Sequence, residues 1–185
     1  MRKNFGQKTW MYPQMVLIIG TYDEHGNANA MNAAWGGVYD YNHVILCLSE
    51  GHKTTKNIKL TGAFTLSFGD ADHVAACDYV GLASGNDTPD KLGKAGFTTE
   101  KSTFVNAPVI QELPLALECK FVKLTEEGNI IGEIVNVSAD ERVLGEDGLA
   151  EADKLHAIVF DPIHNDYLVL GKKVGNAFED GKALR

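Results

Sequence analysis

Apolar residues in this chain fall in short runs, alternating or unbroken, with turn residues between them. Met15-Val16-Leu17-Ile18-Ile19-Gly20-Thr21-Tyr22 is apolar and β-branched and predicts a buried strand. Asp23-Glu24-His25-Gly26 predicts a turn with Gly26 at positive φ. Asn27 to Trp35 resumes as an extended strand of small side chains, so the chain opens as a hairpin that Gly36-Gly37 breaks. His43 to Ser49 predicts a third strand and Ala63 to Phe68 a fourth, with a short helix over Thr54 to Leu60 between them. Asp72 to Val80 is a helix candidate with Asp72 as its N-cap. A second short helix starts at Thr88-Pro89-Asp90, where Pro89 suits a first helical position and Gly96 closes the element.

Residues 97 to 110 carry no clear period, and Pro108 and Pro114 bracket a connection or short edge element. Leu115 to Thr125 and Asn129 to Val137 predict a hairpin about Glu126-Glu127-Gly128. Ala157 to Phe160 and Tyr167 to Leu170 predict another pair, turning at Asp161 to Asp166. Gly171 to Arg185 reads as a C-terminal arm on a single domain over residues 1–185. Many short hairpin strands and few helices imply a mainly β fold: an antiparallel split β-barrel, of Greek-key type, with short peripheral helices. Long crossover helices are missing, which disfavours a doubly wound parallel sheet.

Composition narrows the partners. A net charge of −8 argues against nucleic acid or an anionic membrane surface. No apolar run approaches a membrane span, and the positive amino end has no apolar core behind it, so no membrane partner and no secretory signal are expected. Cys47, Cys77 and Cys119 are far apart with no C-x-x-C, which predicts three buried, reduced thiols in a cytoplasmic protein.

Two segments carry candidate chemistry. Asn29-Ala30-Met31-Asn32-Ala33-Ala34-Trp35 combines small volume, two bifunctional amides, a polarisable thioether and an aromatic wall. It reads as a flat, hydrogen-bonding slot, or as a plain strand with a core Trp. Ser49 to Asn57 places Thr54, Thr55 and Asn57 where a loop enters a helix, flanked by Lys53 and Lys56. Free backbone N–H groups and the helix dipole favour a phosphate there, although Thr54 as a simple cap explains the same residues. Slot and seat together suit FMN. His52 is the one histidine inside this region, and Lys91 is either long enough to reach a phosphate or a solvent-facing helix lysine.

Other chemistries find no support. The glycine patterns of P-loops and Rossmann turns are missing, as are a nucleophile elbow and a metal-ligating His pair, so no metal is expected and no catalytic residue is assigned. Pyridoxal phosphate or haem stays open as an alternative ligand.

At Gly26-x-x-Asn29, Asn32-Ala33-Ala34-Trp35, Thr54-x-x-Asn57-Ile58, Leu117-Glu118-Cys119 and Gly132-Glu133-Ile134-Val135 the chain resembles the flavin reductase-like family of FMN-binding split barrels, above all its flavoredoxin members. The resemblance implies a homodimer with FMN near the subunit interface and hydride or electron transfer through the isoalloxazine ring. It implies that Asn29, Met31, Asn32, Ala33, Ala34 and Trp35 line the ring and ribityl chain. Leu48, Ser49 and His52 would lie beside them, and Thr54 and Asn57 would hold the phosphate. Many members carry a Gly-Asp-His motif in the later hairpin that places a nicotinamide. The corresponding turn here is Glu127-Gly128-Asn129-Ile130, so NAD(P)H as a transient donor competes with a redox protein partner.

Overall fold

The computed structural model describes residues 1–185. Strands β1 (Gln14–Met15), β2 (Leu17–Tyr22), β3 (Ala28–Ala33), β4 (Gly36–Val38) and β5 (His43–Leu46) lead into helix α1 (Lys53–Thr61) and strand β6 (Ala63–Phe68). Helices α2 (Val74–Leu82) and α3 (Lys91–Ala95) precede the short strands β7 (Thr99–Lys101) and β8 (Pro108–Ile110). The long hairpin β9 (Leu115–Leu124) and β10 (Ile130–Ala139) is followed by helix α4 (Ala152–Leu155) and strands β11 (Ile158–Asp161) and β12 (Asp166–Val169).

Seven strands form one antiparallel sheet in the order β3-β2-β6-β9-β10-β5-β4. Its two edges, β3 and β4, are consecutive in the chain and separated only by Ala34 and Trp35. Three peptide steps reach at most about 11 Å. The sheet must therefore curl until its edges adjoin, closing a barrel that stays split between β3 and β4. The link is tied down where Cys47 N donates to Trp35 O at 2.8 Å.

Alternation sorts the side chains. Leu17 and Ile19 of β2 point into the barrel with Leu46, Phe64, Leu66 and Ile130, and Ile58 of α1 plugs this core. Val16 and Ile18 point outward, where Cys77 and Val80 of α2, Leu92 of α3 and Ile110 cover them. Both faces of β2 are buried, which is why its run is apolar without a break. Gly132 leaves room for the largest core ring: a Cβ there would lie 2.4 Å from Phe64 Cζ.

The opening hairpin forms as read, with Gly26 at φ 79°, as does the later one, with Gly128 at φ 85°. Other expectations need correction. Gly36-Gly37 does not end the extended chain but forms β4, because a Cβ on Gly36 would lie 2.8 Å from Leu46 Cδ2 and only glycine lets β5 approach so closely. The cap ahead of α2 is Asp70, not Asp72: Asp70 Oδ1 accepts from His73 N at 2.9 Å and His73 Nδ1 at 2.7 Å. Pro89 lies ahead of α3 rather than within it. Residues 97 to 110 hold β7 and β8, too short to print a period on the sequence. Cys47 is exposed; only Cys77 and Cys119 are buried, and burial pushes both thiols up to about 12.

Replacing Gly132 with Val should force Phe64 off its rotamer and cost about 1–3 kcal/mol, as overpacked cores do. Urea unfolding should show a lower midpoint; an unchanged midpoint would mean that the Phe64 contact yields freely.

Candidate functional site

The amino end of α1 is uncapped. His52 occupies the N-cap position with no side-chain hydrogen bond to the helix, and no acidic residue lies in the first turn. The first-turn N–H groups of a helix have no intrahelical acceptor, so they and the dipole face outward as an anion seat. The turn is locked from behind, where Thr55 Oγ1 donates to Ser49 O at 2.9 Å and His52 N donates to Ser49 O at 3.2 Å. His52 Nδ1 is buried and has no partner in the fold. A buried, unpaired ring nitrogen is expected to meet a ligand or an ordered water.

Edge strand β3 meets this seat. Asn29 Nδ2 donates to Thr54 Oγ1 at 3.0 Å, with both side chains buried. Around this bond lies a cavity of about 140 Å³ lined by Asn29, Met31, His52, Lys53, Thr54, Lys91 and the wall from Val80 to Gly85. The wall approaches closely because it is small: a Cβ on Gly85 would lie 2.2 Å from Asn29 Oδ1, and one on Gly81 would lie 3.0 Å from Asn32 Cβ. Asn86 Nδ2 reaches back to Gly51 O at 3.3 Å, so the loop after α2 bridges to the start of α1.

Two lysines set the field. Lys53 Nζ pairs with Asp23 Oδ2 at 3.1 Å. Burial of Asp23 raises its carboxyl, but hydrogen bonds from Asn27 N, Lys53 Nζ and His25 N more than offset this and hold it at about 2. Lys91 is 3% exposed and donates to Val80 O at 3.0 Å and Ala83 O at 2.9 Å, tying down the C-terminal end of α2. It pairs with no carboxylate, and burial together with the neighbouring Lys53 charge lowers it to about 8. An unpaired buried ammonium beside free helix N–H groups calls for an anion.

The fold brings together five of the residues read from the sequence: Asn29, Met31, His52, Thr54 and Lys91. Lys91 is not solvent-facing, because the α2 carbonyls draw its ammonium inward. Ala34 and the half-exposed Trp35 form the link at the barrel split, and exposed Ser49 serves through its carbonyl. Four others lie elsewhere. Ala33 and Leu48 pack inside the barrel. Asn57 turns under α1 and donates to Thr21 Oγ1 at 3.0 Å. Asn32 points to the opposite face, donating to Cys77 O at 3.0 Å. The wall from Val80 to Gly85 was missed. Its one signal was the run of small residues Gly81-Leu82-Ala83-Ser84-Gly85 directly after a helix.

Comparison with known proteins bears on the fold and the family. Residues 9–158 match the family model described as flavin reductase like domain. The fold is similar to flavoredoxin of Desulfovibrio vulgaris (Miyazaki F), with TM-score 0.94, 34% identity and coverage of 98% of this chain and 100% of that one. It is also similar to flavoredoxin from Methanosarcina acetivorans, with TM-score 0.89, 26% identity and 100% coverage of both chains. A protein of Aeropyrum pernix is 26% identical over 121 residues, and the match spans 46% of that protein's length.

Two titrations test the electrostatics. Between pH 8 and 10.5 the unfolded chain holds a proton that folded Lys91 has lost, so its burden on stability is full below pH 8 and lifts above it. Unfolding free energy should therefore rise across that window in the wild type relative to Lys91→Met; a constant difference would refute the assignment. Asp23 stabilises the fold where Lys91 burdens it, but because both groups are lowered on folding, stability rises with pH in both windows. The Asp23 contribution is present above the ordinary carboxylate range near ~3.9 and is lost as pH falls towards the folded value of about 2. In acid titrations Asp23→Asn should show a shallower loss of stability than the wild type over that interval.

Proposed function

The chain belongs to the flavin reductase-like family, and on that premise we propose that it is an FMN-binding oxidoreductase whose cofactor lies along the barrel split. The observation that carries this reading is the convergence of His52 Nδ1, the uncapped start of α1 and the unpaired ammonium of Lys91 on one cavity beside β3. That donor set suits the phosphate. Thr54 and the first-turn N–H groups of α1 would hold it, with Lys91 supplying charge. β3 has no strand partner on its outer edge, so its backbone is free to meet the polar edge of a ring. Met31 would lie against the ring and Trp35 at its rim.

Bound there, FMN would supply hydride or electron transfer through its isoalloxazine ring. The residues of the chain bind and orient it: Asn29 fixes the Thr54 hydroxyl, and Lys91 holds the Val80 to Gly85 wall. No side chain is assigned acid or base work. We include a homodimer in this proposal, because Trp35, Val38 and Tyr39 beside the split are 48%, 79% and 51% exposed and would be covered by a second copy.

One observation favours a second reading, an FMN-holding electron carrier between protein partners without NAD(P)H turnover. The turn Glu127-Gly128-Asn129-Ile130 offers no histidine to place a nicotinamide. Mixing FMN-loaded protein with NADH or NADPH separates the two: bleaching of the flavin absorbance supports the reductase, and reduction only by a redox protein supports the carrier.

Thr54→Val should weaken FMN binding roughly 10- to 100-fold, since a hydrogen bond to a charged group contributes about 1.5–3 kcal/mol, and should leave riboflavin binding unchanged. Fluorescence titration with both flavins measures this. Equal losses for the two would move the phosphate away from α1.

A further inference from the structure

A second, larger cavity shares no lining residue with the proposed flavin site. It measures about 550 Å³ and opens between the β7–β8 pair and the outer face of the β9–β10 hairpin. This is within the usual volume of small-molecule sites. Ala116 and Ser138 leave space along the hairpin, Ile110 and Leu113 form an apolar wall, and the half-exposed ring of Phe104 lines the opening.

Glu118 lines this cavity and is 2% exposed. Buried carboxylates are normally matched by a cation. Glu118 has none, for it takes part in no ion pair of the fold. Its hydrogen-bond partners are neutral: Ser102 Oγ donates to Oε2, and Asn136 Nδ2 donates to Oε1 at 2.7 Å. Ser102 is fixed in that role because its oxygen accepts Phe104 N and Val105 N, each at 2.9 Å. A carboxylate offers about four acceptor positions, so roughly half of its capacity is unused. At the rim Asp140 is paired with Arg142 at 3.6 Å, and Glu100 stands beside Lys101.

We propose that this cavity binds a small organic cation, an alkylammonium ion whose charged head meets Glu118 while its carbon chain lies on the apolar wall. The buried Glu118 carboxylate, without a cation of its own, disfavours an anion. Glu118 is the one buried carboxylate of the lining, and a single carboxylate falls short of the six or more oxygens that calcium or magnesium takes. Phe104 adds the aromatic surface that attracts ammonium groups.

The test is calorimetric titration of the full chain with putrescine, using butane-1,4-diol as the neutral match at equal ionic strength. Putrescine should bind saturably, one per chain, and the diol should not. In amide NMR spectra, putrescine should shift Ser102, Phe104, Glu118 and Ser138 and leave His52 and Thr54 in place. Glu118→Gln should lower the affinity at least about tenfold, the scale of one charge-assisted bond. Should that variant fail to fold, Glu100→Gln on the exposed rim provides a milder version, with a weakening of about two- to threefold expected of an exposed charge, and the wild-type shift map decides the location. Identical heats for putrescine and the diol would overturn the proposal, as would shifts centred elsewhere or full affinity in a folded Glu118→Gln chain.

Discussion

The two-residue link between β3 and β4 constrains everything else in this molecule. These strands sit at opposite ends of a seven-stranded sheet, yet Ala34 and Trp35 alone join them. So short a tether is compatible only with a sheet that bends back on itself. The bend makes an interior for Phe64, Ile58 and Ile130 and leaves a seam where the last two strands do not pair. An unpaired edge is usually covered or blunted against aggregation. Here it borders the cavity, beside the start of α1, so the same feature that closes the core leaves free backbone along the cavity.

The electrostatics of the seam follow from what is left unpaired. Asp23 is saturated by hydrogen bonds and neutralises Lys53. Lys91 has only carbonyl oxygens, and His52 Nδ1 has nothing. Positive potential therefore collects at one point of a protein whose net charge is −8. A site of this kind selects by local charge against the global field. It also carries a structural burden, since a buried ammonium without a counter-ion opposes folding until an anion arrives.

Much of the candidate site was legible because its residues are local in sequence. Asn29 and Met31 share one face of a strand by alternation, and His52 and Thr54 share one helix start, so spacing alone groups each pair. The roles of Ala33, Asn32 and Asn57 were not legible in the same way. Ala33 follows Met31 on the same face of β3 but lies deeper, inside the closed barrel, while Asn32 alternates to the side that α2 covers. Asn57 lies one helical turn beyond Lys53, where the helix has rotated inward onto Thr21 of β2. Lys91 reads as a surface residue by composition, and only the nearby end of α2 with its spare carbonyl oxygens explains its burial.

By itself the sequence determined the hairpins, their turns and the mainly antiparallel character of the fold, because these depend on neighbours within a few residues. It also determined family, through the order of short motifs from Gly26 to Val135. The tertiary structure alone decided which strands became edges, that the wall from Val80 to Gly85 would face Asn29, and which polar groups stayed unpaired. Those outcomes depend on contacts between segments tens of residues apart, where packing and solvent exclusion, rather than local propensity, settle which atoms find partners.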